Sequence, residues 1–86
     1  MTVLILDSMA EFYAARLAQA VPELSFVATT DPAIALAKAG DAEVLVGLAP
    51  YMKPELLDAM AGLVWVQALT TGVDNLLRLK GVAITN

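Results

Sequence analysis

Five short apolar runs rich in Val, Leu and Ile, set apart by segments with helix start and stop signals, most constrain what this chain can fold into. The runs are Thr2 to Leu6, Leu24 to Ala28, Glu43 to Gly47, Leu63 to Ala68 and Val82 to Ile84. Short apolar runs bounded by turn residues read as strands buried on both faces. After the first, Ser8-Met9-Ala10-Glu11 fits a capping box, with Ser8 as N-cap and Glu11 reaching back. A helix then runs to about Ala20, offering Phe12, Ala15, Leu17, Ala18 and Val21 as a core stripe, and Pro22 stops it. Thr29-Thr30-Asp31-Pro32 starts the next, with Asp31 or Thr30 as cap and Pro32 at the first position. That helix passes through Ile34, Leu36 and Ala37 and ends at Gly40. Beyond the longest loop, Leu48 to Lys53, Pro54 opens a third helix that carries Leu56, Leu57, Ala59 and Met60 and closes at Gly62. A fourth helix is expected from Val73 to Leu79.

Strands alternating with helices of this length predict an α/β fold, a parallel sheet with helices on both faces. Right-handed crossovers prune the topologies, and the flavodoxin-like strand order 2-1-3-4-5 is expected. No linker divides the 86 residues, which make at most one small domain. Such a chain buries only roughly 60–65% of the surface its unfolded form exposes. Yet 59% of its residues are hydrophobic, and the mean hydropathy is +0.73. That excess fits a doubly covered sheet, or surface meant to pack against something outside this chain.

Charge and residue usage exclude several functions. A net charge of −4 and five scattered basic residues leave no basic patch to follow a phosphate backbone, so no nucleic-acid partner is expected. No apolar run reaches the ~18 residues of a membrane span. The N-terminus lacks the basic region and cleavage site of a signal peptide, so a cytoplasmic protein is expected. Without cysteine there is no disulfide, thiolate metal site or thiol nucleophile, and without histidine the commonest general base and metal ligand is missing. No metal site is expected.

Ligands of open parallel sheets bind beyond the carboxyl ends of the strands. There the fourth strand ends in Leu69-Thr70-Thr71-Gly72 and runs at once into Val73-Asp74-Asn75. A strand ending in a small-residue turn that opens a helix gathers unpaired N–H groups at the positive end of the helix dipole. Glycine lets a ligand approach the backbone closely. Thr71 and Gly72 are therefore candidate donors to a small carboxylate, with Leu48 and Ala49 after the third strand as an apolar wall. The same spacing also fits a plain strand-to-helix turn. Asp74 suits the helix start electrostatically, and its charge argues for placing it away from an anion. Trp65 reads as core, and Tyr51 as either a cover for a ligand or an exposed loop aromatic.

Other constellations fail. The dinucleotide fingerprint G-x-G-x-x-G and the phosphate loop G-x-x-x-x-G-K-[ST] are both missing. The first strand leads into Asp7-Ser8-Met9, which has no glycine to admit a pyrophosphate and no flavin-phosphate loop. A phosphoacceptor receiver domain would need clustered acids there, but Asp7 stands alone and the third strand ends in Gly47-Leu48.

From Leu63 through Trp65 and Thr71-Gly72-Val73-Asp74-Asn75 to Lys80-Gly81-Val82-Ala83-Ile84-Thr85-Asn86, the chain resembles the N-terminal part of the D-isomer-specific 2-hydroxyacid dehydrogenases. Their pattern there is an apolar strand with an aromatic, a turn ending G-[VIF]-D-[HN], and a strand of the type gv-x-[lvi]-tn. Val44 to Gly47 and Pro54 to Ala59 also resemble that family's third strand and following helix. The resemblance implies a partial flavodoxin-like substrate-binding domain over residues 1–86, normally completed by a returning C-terminal helix. It implies a separate Rossmann domain, absent from this chain, that binds NAD or NADP and supplies a catalytic Arg, Glu and His, so no catalytic residue is expected here. It implies a small 2-oxo or 2-hydroxy acid as substrate, of the glyoxylate or hydroxypyruvate type. Its carboxylate would sit on the amides of Thr71 and Gly72, with Leu48 and Ala49 facing it. The intact enzyme is expected to be a homodimer, and this piece alone inactive. The alternative is a free-standing flavodoxin-like binding or regulatory module without redox activity.

Overall fold

A computed structural model of the chain describes residues 1–70, 72–76 and 79–86. Thr2–Leu6 (β1), Ser25–Thr29 (β2), Val44–Gly47 (β3), Trp65–Ala68 (β4) and Ala83–Thr85 (β5) form one sheet in the order β2-β1-β3-β4-β5. Every neighbouring pair is parallel. The expected architecture and strand order are those observed. β1 spans its expected residues, and the other four strands begin or end one or two residues from their expected limits, because the sequence shows which runs are apolar but not where the ladder starts.

Because strand side chains alternate, each strand serves two cores. Leu4, Leu6, Leu45, Val66 and Ala68 pack on one face, beneath the helices Pro32–Lys38 (α2) and Pro54–Ala59 (α3). Val3, Ile5 and Val44 pack on the other, beneath Ala10–Ala20 (α1). Burying such side chains contributes roughly 1.5–3 kcal/mol each. Gly47 ends β3 opposite Leu6 of β1. A Cβ there would penetrate the Leu6 carbonyl oxygen and lie 3.3 Å from the Leu6 carbonyl carbon, so only glycine lets the two strands approach this closely. Gly81, with φ at 72°, turns the chain into β5 through the left-handed region that glycine favours.

Several local expectations are corrected. The Ser8–Glu11 capping box does not form; α1 begins at Ala10, and its N-cap position, Met9, makes no side-chain cap. Asp7, buried at the end of β1, comes first: its carboxylate accepts the Met9 N–H at 2.9 Å and its carbonyl the Ala10 N–H at 3.1 Å. The α1 stripe is also rotated. Ala10, Tyr13 and Ala14 face the sheet, while Phe12 is 51% and Leu17 38% exposed. Small residues at 10 and 14 let the helix lie close to the strands and turn the larger residues outward. In α2, Asp31 caps as expected, accepting the Ala33 N–H at 2.9 Å. Its buried positions are Ala35 and then Ala39, which starts a 3-10 turn to Asp41, while Ile34 and Leu36 point out. Trp65 is not core: it is 45% exposed, and its indole N–H donates to the Thr85 hydroxyl at 3.0 Å.

The fourth helix is not seen among the described residues. Asp74–Leu76 is a single 3-10 turn, and Leu77 and Arg78 lie outside the described part. A helix dipole needs aligned peptides over several turns. Among the described residues, the junction therefore offers an anion individual amides rather than a macrodipole.

Candidate functional site

The carboxyl ends of β3 and β4 lie side by side, and the Leu69 N–H donates to the Gly47 carbonyl at 2.7 Å, extending their pairing by one residue. Beyond that point the chains separate into two loops. After β3, Leu48 leads into the 3-10 turn Ala49–Tyr51 and on through Met52 and Lys53 to α3. After β4, Thr70 and Gly72 lead into the 3-10 turn Asp74–Leu76.

Polar side chains of the second loop hold the first. The Thr70 hydroxyl accepts the Ala49 N–H at 3.2 Å and lies 3.4 Å from the Gly72 carbonyl, to which it donates. The Asn75 side-chain amide donates to the Ala49 carbonyl at 2.9 Å and to the Met52 carbonyl at 3.5 Å. Between the loops lies a cleft of about 540 Å³. Pro50, Met52 and Lys53 line its β3 side, and Gly72, Asp74 and Asn75 its β4 side.

The expected site residues fall differently around this rim. Gly72 is exposed at the cleft, and a Cβ built there would meet nothing within 4 Å. Among the described residues its N–H makes no hydrogen bond. Thr71 lies outside the described residues. Ala49 is fully buried, and both its backbone polar groups are taken. Leu48 lines a separate depression of about 220 Å³ with Asp7, Thr30 and Tyr51, so the structure does not bring it into the Gly72 cleft. Asp74, expected away from a ligand, lines the cleft; Lys53 across from it supplies the opposite charge. Thr70 and Asn75 stand in the stretch the sequence marks out, but the sequence assigned them no role. Their partners lie 21 to 26 residues away in the chain, which no local pattern reveals.

Another cavity, about 640 Å³, lies elsewhere, on the α1 face of the sheet. Phe12, Leu17 and Val21 form one bank, and Val46, Trp65 and Leu69 the other. Its walls are apolar, with few convergent polar groups to orient a small acid, unlike a typical substrate pocket. No helix among the described residues is long and apolar enough to cross a membrane.

No family model matches the chain, and no curated protein does. A solved structure does match: a D-isomer specific 2-hydroxyacid dehydrogenase family protein from Aeromonas salmonicida subsp. salmonicida. The two superpose with a TM-score of 0.86 at 29% sequence identity, over 99% of this chain. The chain spans 28% of the length of that protein. In fold and over nearly all its residues, this chain is therefore similar to a part of a D-isomer specific 2-hydroxyacid dehydrogenase family protein.

Proposed function

We propose that the chain is the substrate-binding portion of an NAD(P)-dependent D-2-hydroxyacid dehydrogenase, or 2-oxoacid reductase, and that it holds the substrate carboxylate on the backbone amides of Thr71 and Gly72. The observation that carries this is the N–H of Gly72, unbonded among the described residues at the mouth of a cleft, in a chain that superposes along 99% of its residues on part of a D-isomer specific 2-hydroxyacid dehydrogenase family protein. A carboxylate bonded to backbone N–H groups makes charge-assisted hydrogen bonds, about twice as strong as neutral ones. Two neighbouring amides would also fix the direction of the acid, leaving its 2-oxo carbon presented for reaction.

The residues of this chain do not fit a nicotinamide cofactor. The β1–α1 junction has no glycine-rich turn, and the buried Asp7 carboxylate already occupies the amide at the start of α1. NAD or NADP, and the groups that move protons, belong in our reading to a second domain outside these 86 residues. This chain then binds and orients the acid and has no redox activity alone. The apolar channel beside α1 supports the same reading, since a returning helix, as in the family's substrate domain, would cover Phe12, Leu17 and Trp65.

The coding sequence beyond Asn86 tests the assignment. A G-x-G-x-x-G followed by Arg, Glu and His is expected; a stop codon there would favour a free-standing binding module. In the longer protein, Gly72→Val should raise KM for glyoxylate and lower kcat/KM. Unchanged constants would remove Gly72 from the site.

A further inference from the structure

We infer that Asn75 and Thr70 are positioning residues that set the width of the Gly72 cleft, and so its affinity for a small carboxylate. The inference rests on the carboxylate reading above and deepens it. The two walls of the cleft come from different loops, and the contacts named above tie them through these side chains. A primary amide nitrogen carries two hydrogens, and that of Asn75 lies 2.9 Å from the Ala49 carbonyl and 3.5 Å from the Met52 carbonyl, both on the opposite wall. Thr70 uses its one hydroxyl in both senses, accepting from Ala49 and donating to Gly72.

Ala49 is thus held at both its N–H and its carbonyl by residues that follow β4. Its methyl group is sealed in the core, so the loop after β3 cannot slide without leaving polar groups unpaired. Met52, the other carbonyl Asn75 holds, is 1% exposed and directly precedes Lys53, the cation of the cleft. Asn75 therefore fixes the stretch that carries Lys53 relative to Gly72. A binding site needs such supporting contacts to keep its donors within about 0.5 Å of the productive geometry.

Isosteric variants test this. Asn75→Asp keeps the shape of the side chain, removes both donors and adds a negative charge, whose share of any loss is read by repeating the titration in ~1 M salt. Thr70→Val removes the hydroxyl, and Thr70→Ser restores it. Each isotope-labelled chain is titrated with glyoxylate, followed at the Gly72 amide by NMR, and global stability is read by urea unfolding. Asn75→Asp and Thr70→Val should weaken binding by roughly tenfold, the scale of one lost hydrogen bond, with Thr70→Ser near wild type. Binding within twofold of wild type in both Asn75→Asp and Thr70→Val would overturn the positioning role while leaving the carboxylate site standing. Failure of the wild-type chain to bind glyoxylate at Gly72 would overturn both. Should Asn75→Asp not fold, the Thr70→Val and Thr70→Ser pair decides alone.

Discussion

Replacing Gly47 by alanine tests whether β1 and β3 approach as closely as the sheet requires. The added methyl would be driven into the Leu6 carbonyl, with the carbonyl carbon at 3.3 Å. Both neighbours are backbone atoms within a paired ladder, so no side chain can swing away. Alanine stiffens the unfolded chain, which by itself would stabilise by about 0.4–1 kcal/mol. Overpacking a close-fitted interior costs about 1–3 kcal/mol, and an immovable backbone puts Gly47 at the upper end. The clash wins, for a net loss of about 2–2.5 kcal/mol, against a total stability on the order of 5–15 kcal/mol for a small domain. For a domain this size each kcal/mol moves Tm by roughly 4–8 °C. Urea unfolding followed by Trp65 fluorescence should show a lower midpoint with an unchanged slope. A variant as stable as wild type, or more so, would refute the close approach of the strands.

The other predictions are briefer. Gly72→Val places its side chain in open space, so its unfolding midpoint should match wild type. Asp74→Asn should tighten glyoxylate binding and Lys53→Gln weaken it, each by a few-fold, since exposed charges at 4 Å in water are worth about 1 kcal/mol. Both effects should fade in ~1 M salt, where the screening length falls to about 3 Å, and titrations at two salt concentrations would reveal their absence. Leu45→Ala, at a fully buried position, should cost about 2–5 kcal/mol, whereas Phe12→Ala, half-exposed on the outward face of α1, should cost much less. Equal costs in unfolding experiments would mean that α1 is turned the other way.

The sheet was legible because five runs of Val, Leu and Ile are long-range decisions made locally: each must be buried wherever it lies. The starts of α2 and α3 were legible for a related reason, since Asp31, Pro32 and Pro54 act on their own neighbours. What was not legible depended on partners distant in sequence. The rotation of α1 is set by the fit of Ala10 and Ala14 to strands they pack against, not by the size of Phe12 or Leu17. Asp7 displaced Ser8 as the cap because the end of β1 fixes its carboxylate beside the Met9 amide. At the site, Gly72 was visible as a glycine in a turn. The bracing by Thr70 and Asn75, the entry of Asp74 into the cleft and the separation of Leu48 from it all follow from how two loops meet in space.

The most direct measurement is a titration of the isotope-labelled chain with glyoxylate, set beside one with glycolaldehyde, which keeps the small carbonyl but lacks the carboxylate. Saturable shifts of the Gly72 amide with glyoxylate alone are predicted. A Gly72 amide that stays still, or moves equally with the uncharged compound, would contradict the carboxylate site.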